Sequence, residues 1–170
     1  LSRWSVGRLL KKWGFTPQKP AKKSYFQNPQ KIQNWLDEEY PEIVKQAKKE
    51  NAEIQWLDEM GARSDDQVGR TYSKKGKTPE VIVSGIRFSC NFISTITNLG
   101  KLRFMSFKER FTTDVFLKFL QRLTKNIERK IYLILDSHPV HKSRNVMLWL
   151  KENKDKIQFF FLPPYSPELN

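Results

Sequence analysis

The segment IYLILDS, residues 131–137, decides the fold of this chain. Five apolar residues follow one another and end on Asp136. A short continuous apolar run predicts a strand that is buried on both faces, as the strands of parallel sheets are. Chemistry in such sheets collects at the carboxyl ends of the strands, where side chains leave the core and meet solvent. Because an isolated buried carboxylate is costly, we expect Asp136 to be solvated, paired or bound to a cation.

The segments around this strand alternate between strand and helix patterns. Residues 53–60, EIQWLDEM, predict a strand that Gly61 ends, so that Asp58 also lies at a strand end. Residues 81–97 and 101–107 predict a hairpin of long strands. The remaining pattern predicts two helices and a short last strand, at residues 111–130, 143–153 and 157–162. This order predicts an α/β fold with a ribonuclease-H-like mixed sheet, in which three leading strands precede parallel strands linked by helices.

The N-terminal arm is basic: the first 36 residues hold eight basic residues and no acidic one. Residues 2–13 predict a short amphipathic helix that Ser2 or Ser5 caps and Gly14 ends. Two interpretations stay open: the second helix of a helix-turn-helix laid into a DNA major groove, or the solvated face of an ordinary helix. Residues 16–26 predict an extended basic linker.

A helical connector is predicted between this arm and the sheet. Asn28 and Pro29 are a favourable N-cap and first-turn pair, and the helix that they begin runs to about Tyr40. Pro41 breaks it and opens a second helix that ends near Lys49. We expect this helix pair to pack on the main domain.

Composition limits the functional classes. The chain has 170 residues with 31 Lys and Arg against 18 Asp and Glu, a formal net charge of +13. This balance favours a polyanionic partner, most often nucleic acid, over a merely basic protein. The single cysteine, Cys90, excludes an internal disulfide and a cysteine-based zinc cage, and it favours a reducing cytoplasm. No apolar run approaches the roughly 18 residues that a membrane helix needs.

Two strand-end carboxylates on neighbouring strands can act together. Adjacent strands lie about 4.8 Å apart, so Asp58 and Asp136 would be close enough to share a divalent cation. Without a cation the two charges would repel each other. Two divalent cations can stabilise the attacking and leaving oxygens of phosphodiester cleavage. The alternative is that both acids are ordinary solvated strand ends, because many strands end in Asp.

Three motifs resemble a known family: WLDEMG at 56–61, LILDSHPVH at 133–141 and LPPYSPELN at 162–170. In this order and separation they are similar to the catalytic core of DDE transposases of the bacterial insertion-sequence family 630, relatives of the mariner elements. The resemblance implies that Asp58 and Asp136 are the first two catalytic, metal-binding aspartates. The third ligand, a Glu, is expected beyond Asn170, and Glu168 is not assigned that role. We therefore expect a chain that is truncated at both ends.

His141 matches a histidine that is usual at this position in the family. It would contact a phosphate or a water at the scissile strand, or it would cap the next helix or bond a backbone carbonyl. His138, three residues earlier, has no assigned role. A series of phenylalanines is expected to belong to the core rather than to a base-stacking platform: Phe104, Phe107, Phe111, Phe116 and Phe119.

The resemblance also implies a domain organisation. Residues 1–26 would be the tail of a helix-turn-helix domain with its basic linker, residues 27–52 the helical connector, and residues 53–170 the catalytic domain, incomplete at its C-terminus. The implied function is that of a DNA transposase, which uses Mg²⁺ or Mn²⁺ to cleave transposon ends and join them to target DNA. Two alternatives are a DNA-binding fragment without catalysis and another nuclease of the same fold, such as a junction resolvase.

The implied partners are transposon terminal inverted repeats and target DNA at TA sites, with a homodimer as the active assembly and no membrane. The implied location is the bacterial or archaeal cytoplasm, at the nucleoid. The basic residues expected to neutralise DNA phosphates are Arg3, Arg8, Lys11, Lys12, Lys19, Lys22, Lys23, Lys74, Lys75 and Lys77.

Overall fold

The computed structural model describes residues 2–18, 24–64, 72–80, 87–166 and 169. Helices in this part of the chain are α1 (Arg3–Lys12), α2 (Pro29–Asn34), a π-helical turn (Trp35–Glu39), α3 (Tyr40–Lys49), α4 (Thr113–Leu123), a 3₁₀ turn (Pro139–Lys142) and α5 (Arg144–Glu152). Strands are β1 (Glu53–Arg63), β2 (Ser89–Thr97), β3 (Leu102–Phe107), β4 (Ile131–Leu135) and β5 (Ile157–Phe161).

The strands form one mixed sheet with the order β3-β2-β1-β4-β5. The three leading strands pair antiparallel, whereas β1 with β4 and β4 with β5 pair parallel. The predicted α/β fold with three leading strands and helix-linked parallel strands is therefore confirmed. Within the described ranges, no helix is long and apolar enough to cross a bilayer.

Strand β4 lies inside the sheet and is covered on both faces. All five of its residues are buried. Leu133 and Leu135 face the core under α4 and α5, while Tyr132 and Ile134 face the connector helices. The prediction that this apolar run forms a two-sided buried strand is confirmed, and so is the prediction that the connector packs on the main domain.

The prediction that Pro41 breaks the connector helix is wrong. Helical backbone continues from Pro29 to Lys49, and the π-helical turn ends at Glu39, two residues before the proline. Proline lacks an N–H, and its ring clashes with the carbonyl four residues earlier in a regular α-helix. A π-turn widens the helix by one residue and so accommodates that clash without a break.

Strand β1 continues past Gly61 to Arg63, so the prediction that Gly61 ends it is also wrong. Gly61 pairs with Asn91 on β2. A Cβ added to Gly61 would lie 3.3 Å from Asn91 Oδ1, which is a tight contact. The glycine thus gives room to the cross-strand neighbour instead of turning the chain.

Two further predicted elements are shorter than expected. Helix α4 begins after the N-cap Thr112, close to the predicted start at residue 111, but it ends at Leu123 rather than at residue 130. Asn126 adopts a left-handed backbone with φ 57°, which turns the chain into β4. The hairpin has its turn at residues 98–100 as predicted, and Gly100 has φ 79° there. Strand β2 begins only at Ser89, and residues 81–86 of the predicted strand lie outside the described ranges.

Most of the phenylalanine series is core, but Phe104 is an exception. Phe107, Phe116 and Phe119 are buried, whereas Phe104 is 65% exposed. Side chains alternate along a strand, so Phe104 points to the face opposite Met105 and Phe107. Strand β3 is an edge strand of the sheet. The inclusion of Phe104 in the core is therefore corrected.

Helix α1 has the predicted boundaries. Ser2 Oγ accepts a hydrogen bond from Ser5 N at 3.2 Å, and Gly14 has φ 82° just after the helix. No residue of α1 is buried. Further along, the ring of Phe26 packs against Tyr165 of the LPPYSP loop, with centroids 5.5 Å apart.

Candidate active site

Asp58 and Asp136 lie at the same level on neighbouring strands. The last parallel pair between β1 and β4 joins Trp56 to Ile134, and each aspartate follows two residues later. Both side chains are exposed. Because β1 continues to Arg63, Asp58 lies within its strand and not at its end; the description of Asp58 as strand-terminal is therefore corrected. What ends near Asp58 is the pairing with β4.

The carboxylate of Asp136 is held at one oxygen. Its Oδ1 accepts a hydrogen bond from His138 N at 2.9 Å and lies 3.0 Å from His141 Nδ1. In the part of the chain that the structure describes, Oδ2 of Asp136 has no hydrogen bond or ion pair. The local fold thus fixes the carboxylate by one oxygen and presents the other.

His141 lies between two carboxyl groups from different strands. Its Nε2 is 2.8 Å from Glu59 Oε1, while its Nδ1 faces Asp136, both the side-chain oxygen and the backbone carbonyl at 3.2 Å. The imidazole is completely buried. The ring of Phe116 packs on it with centroids 4.7 Å apart. A hydrogen-bonded series therefore runs from β1 to the end of β4.

The burial of His141 decides between its two predicted roles. With no exposed surface, the imidazole is not placed to contact a DNA phosphate or a water at the scissile strand. It does bond the backbone carbonyl of Asp136, as the second alternative stated. The side chain of His138 is exposed. His138 is the N-cap of the 3₁₀ turn, and its Nδ1 accepts a hydrogen bond from Val140 N.

Sequence reasoning missed Glu59. It lies next to Asp58, but strand alternation places it on the opposite face of the sheet, with the buried Leu57. The signal that identifies it is this alternation, combined with the pairing of β1 and β4. Neither the spacing of the motifs nor their composition contains the contact of Glu59 with His141.

A divalent cation fits the donor set in part. Carboxylate oxygens are the ligands that Mg²⁺ and Mn²⁺ prefer, and Asp58 and Asp136 offer such oxygens from adjacent strands. Among the residues that the structure describes, no three His, Cys, Asp or Glu side chains form a group able to hold a metal ion. The site therefore contributes two carboxylates, those of Asp58 and Asp136. Glu168 lies outside the described ranges.

The predicted DNA-contacting residues fall into two exposed groups. Arg3, Arg8, Lys11 and Lys12 are exposed on α1. Lys74, Lys75 and Lys77 are exposed in a turn in which Lys77 N donates to Lys74 O at 2.9 Å and Gly76 has φ 82°. The remaining predicted residues, Lys19, Lys22 and Lys23, lie outside the described ranges.

Comparison with protein families decides the classification. Residues 53–170 match the family model described as DDE superfamily endonuclease, which is more than half of the chain. The chain belongs to the DDE superfamily endonucleases. The segment that matches this DDE endonuclease model contains Asp58 and Asp136. Residues 1–39 match a second model, described as a winged helix-turn helix.

One curated protein similar to this DDE endonuclease comes from an insertion element. The chain is 26% identical over 175 residues to the "Insertion element IS630 uncharacterized 39 kDa protein" of Shigella sonnei. The alignment covers 100% of this chain and 49% of the relative, so the chain spans about half the length of the curated relative that it matches.

Solved structures show the same fold. The Mos1 strand transfer complex aligns with a TM-score of 0.62 at 17% identity and covers 99% of this chain and 52% of that chain. The Mos1 mariner paired end complex with Mn aligns with a TM-score of 0.64 at 15% identity, over 99% and 53% of the two chains. The mixed sheet of this DDE endonuclease is therefore that of the transposase fold.

Proposed function

We propose that this chain carries a large part of the catalytic machinery of a DNA transposase. The observation that supports this most directly is the level placement of Asp58 and Asp136 on paired parallel strands, within a DDE endonuclease segment. The similarity to an insertion-element protein and to mariner complexes points to the same activity. The substrate would be DNA at transposon ends, followed by target DNA at TA sites.

In the proposed reaction, water attacks the phosphorus of a phosphodiester and the bond to the leaving oxygen breaks, which frees a 3′-hydroxyl. That hydroxyl then attacks a phosphorus of the target DNA, and a second bond to oxygen breaks. Mg²⁺ or Mn²⁺, held by Asp58 and Asp136, would stabilise charge on the attacking and leaving oxygens. The Mos1 mariner transposase, which has a similar fold, was solved with Mn in its paired end complex.

The residues of this chain would position the substrate and its ligands. Asp136 presents Oδ2 because Oδ1 is occupied by His138 N and His141. Lys142, in the 3₁₀ turn, lies beside the site: its Nζ donates to Ser137 Oγ at 3.0 Å. This cation, together with the basic residues of α1 and of the 74–77 turn, would neutralise phosphates of bound DNA. On this proposal the protein works on DNA in the cytoplasm, as a homodimer.

The experiment is a cleavage assay with end-labelled DNA that carries the sequences flanking the gene, in the presence of Mn²⁺. We expect Asp136→Asn and Asp58→Asn to abolish cleavage and to leave DNA affinity within about twofold, because neither change removes a cation that contacts phosphate. Asp155→Asn is the matched control, since Asp155 is exposed in the turn before β5, at the opposite end of the parallel strands. Cleavage by Asp136→Asn at the unmodified rate would refute the proposal.

A second candidate is a DNA-binding protein without catalysis. It is favoured by the metal-ligand count, because the described residues bring together two carboxylates and no group of three. The same assay separates the two candidates. Salt-dependent DNA binding without Mn²⁺-dependent cleavage supports the second candidate, whereas cleavage that requires Asp136 supports the first.

A further inference from the structure

Glu59 is connected to the second aspartate, Asp136, through one buried side chain. Its carboxylate is 23% exposed and lies 2.8 Å from Nε2 of the buried His141. The opposite ring nitrogen lies 3.0 Å from Oδ1 of Asp136. Three side chains from β1, the 3₁₀ turn and the end of β4 are thus linked by two short contacts.

From this geometry we propose that Glu59 is a positioning residue that acts through His141 to orient the carboxylate of Asp136. The proposal rests on the function proposed above, because the oriented group is the expected metal ligand. The imidazole can adopt few orientations, because it is completely buried and the rings of Phe116 and Phe111 pack against it, with ring centroids at 4.7 and 5.7 Å. The contacts of the two imidazole nitrogens limit rotation of the His141 ring further. Glu59 contacts Nε2, and this contact keeps Nδ1 directed toward Asp136.

Both contacts to the Asp136 carboxylate involve the same oxygen, Oδ1, and this decides how the other oxygen is presented. His141 and the His138 amide both engage Oδ1 of Asp136, so the carboxylate cannot rotate freely about its terminal bond. Its Oδ2 is thereby presented in one direction. Carboxylates that bind metals are commonly held by hydrogen bonds from residues behind them, and loss of such a partner typically weakens metal affinity by about 10- to 100-fold. Glu59 also links the strands of both aspartates, because it is the residue next to Asp58 on β1.

The alternative is that Glu59 only stabilises the fold. A partly buried carboxylate that bonds a buried histidine is often structural, and removing it would then lower stability and leave the site unchanged. The two explanations differ in their effect on ion binding by the folded protein. Gln at position 59 keeps an uncharged amide that can still hydrogen-bond Nε2, so it should preserve a positioning role that depends on this hydrogen bond.

The test is a Mn²⁺ titration of the DNA-free chain, followed by water-proton relaxation, with Glu59→Ala, Glu59→Gln and Asp136→Asn. We expect Glu59→Ala to weaken Mn²⁺ binding about 10- to 100-fold and Glu59→Gln to stay within about threefold of the unmodified chain. The control is Glu128→Ala, an exposed glutamate near the start of β4, at the end opposite Asp136, and it should bind Mn²⁺ normally. Thermal unfolding of each variant, without Mn²⁺, confirms that the measured species is folded.

The outcomes separate this inference from the proposed function. If Asp136→Asn loses Mn²⁺ binding while Glu59→Ala binds as the unmodified chain does, the positioning role is wrong and the metal site stands. If the unmodified chain binds no Mn²⁺, or if Asp136→Asn binds it unchanged, the proposed site and the inference both fail. If Glu59→Ala is too unstable to titrate, His141→Gln provides the comparison, because it removes the imidazole that links Glu59 to Asp136. Loss of Mn²⁺ affinity in folded His141→Gln supports the role, and unchanged affinity overturns it.

Discussion

Replacing Tyr132 by phenylalanine should make the protein more resistant to alkaline unfolding. Tyr132 lies in β4 and is completely buried under α3, where Ile43 and Ala47 pack in the same cluster. Burial first, and the nearby carboxylate of Glu50 second, raise the pKa of the Tyr132 hydroxyl from 10.0 to about 12. The folded protein keeps this proton at pH values where the unfolded chain releases it. The free energy of unfolding therefore falls as the pH rises from 10 towards 12.

The size of this effect follows from the two pKa values. One pKa unit corresponds to about 1.4 kcal/mol, so Tyr132 costs the folded state roughly 1.4 kcal/mol at pH 11, relative to pH 8. Tyr132→Phe removes this loss. At pH 7 the substitution also removes a buried hydroxyl that makes no well-formed hydrogen bond among the described residues, and we expect a change below about 1 kcal/mol there.

Urea unfolding at pH 7, 9, 10 and 11 measures the difference between the two proteins. Tyr72→Phe is the matched control, because the Tyr72 side chain is fully exposed. We expect Tyr72→Phe to follow the unmodified protein at every pH, and Tyr132→Phe to gain about 1 kcal/mol over it by pH 11. Parallel loss of stability in all three proteins would refute the argument that α3 buries Tyr132 on the sheet.

Two further predictions concern charged side chains. Arg103 Nη1 lies 2.9 Å from Glu53 Oε2. Burial raises the pKa of the Glu53 carboxyl, but hydrogen bonds from Arg103 and Gln55 outweigh burial and lower this pKa below its ordinary value of 4.5. Arg103→Met should therefore destabilise the protein at pH 7, by up to about 1 kcal/mol because the Arg103 side chain is partly exposed. The loss should shrink as the pH falls through the lowered pKa of Glu53 and its carboxylate is protonated. Urea unfolding at pH 7 and at acidic pH checks this, and an equal loss at both would contradict it. If α1 contacts DNA phosphates, Lys11→Gln and Lys12→Gln should each lower the steepness of log K against log salt concentration by about 0.9, without changing sequence preference. Filter binding at several salt concentrations measures this slope. An unchanged slope would show that α1 does not contact the DNA backbone.

The central part of the fold could be predicted from local pattern. Five apolar residues before Asp136 are sufficient to predict a two-sided buried strand, and β4 is that strand. The caps Ser2 and Asn28 are equally visible in the sequence, because an N-cap depends on a side chain and on backbone groups two or three residues away. Where structure depends on neighbours in sequence, the prediction was correct.

The misses depend on contacts that are distant in sequence. Pro41 breaks a regular α-helix, but packing of Trp35 on Ile134 and Leu162 holds the connector in place through a π-turn. Gly61 resembles a strand end in isolation, yet pairing with β2 carries β1 two residues further. Phe104 is aromatic like its buried neighbours, but it lies on the opposite face of β3, which is an edge strand of the sheet.

The candidate site shows the same division. The order and types of Asp58 and Asp136 were available from the motifs, and the register of β1 with β4 places them level. Glu59 and the burial of His141 were not available, because both follow from how β1, α4 and the 3₁₀ turn pack around one imidazole. The residue that sequence reasoning passed over is therefore the one that depends most on tertiary structure.

A crystal structure of the protein grown with Mn²⁺, with anomalous data collected at the manganese edge, tests the central claim most directly. The account predicts an anomalous peak within roughly 2.0–2.6 Å of carboxylate oxygens from both Asp58 and Asp136, with Oδ1 of Asp136 still bonded to His141. An ion bound by other residues, or a peak that contacts only one of the two aspartates, would contradict the account.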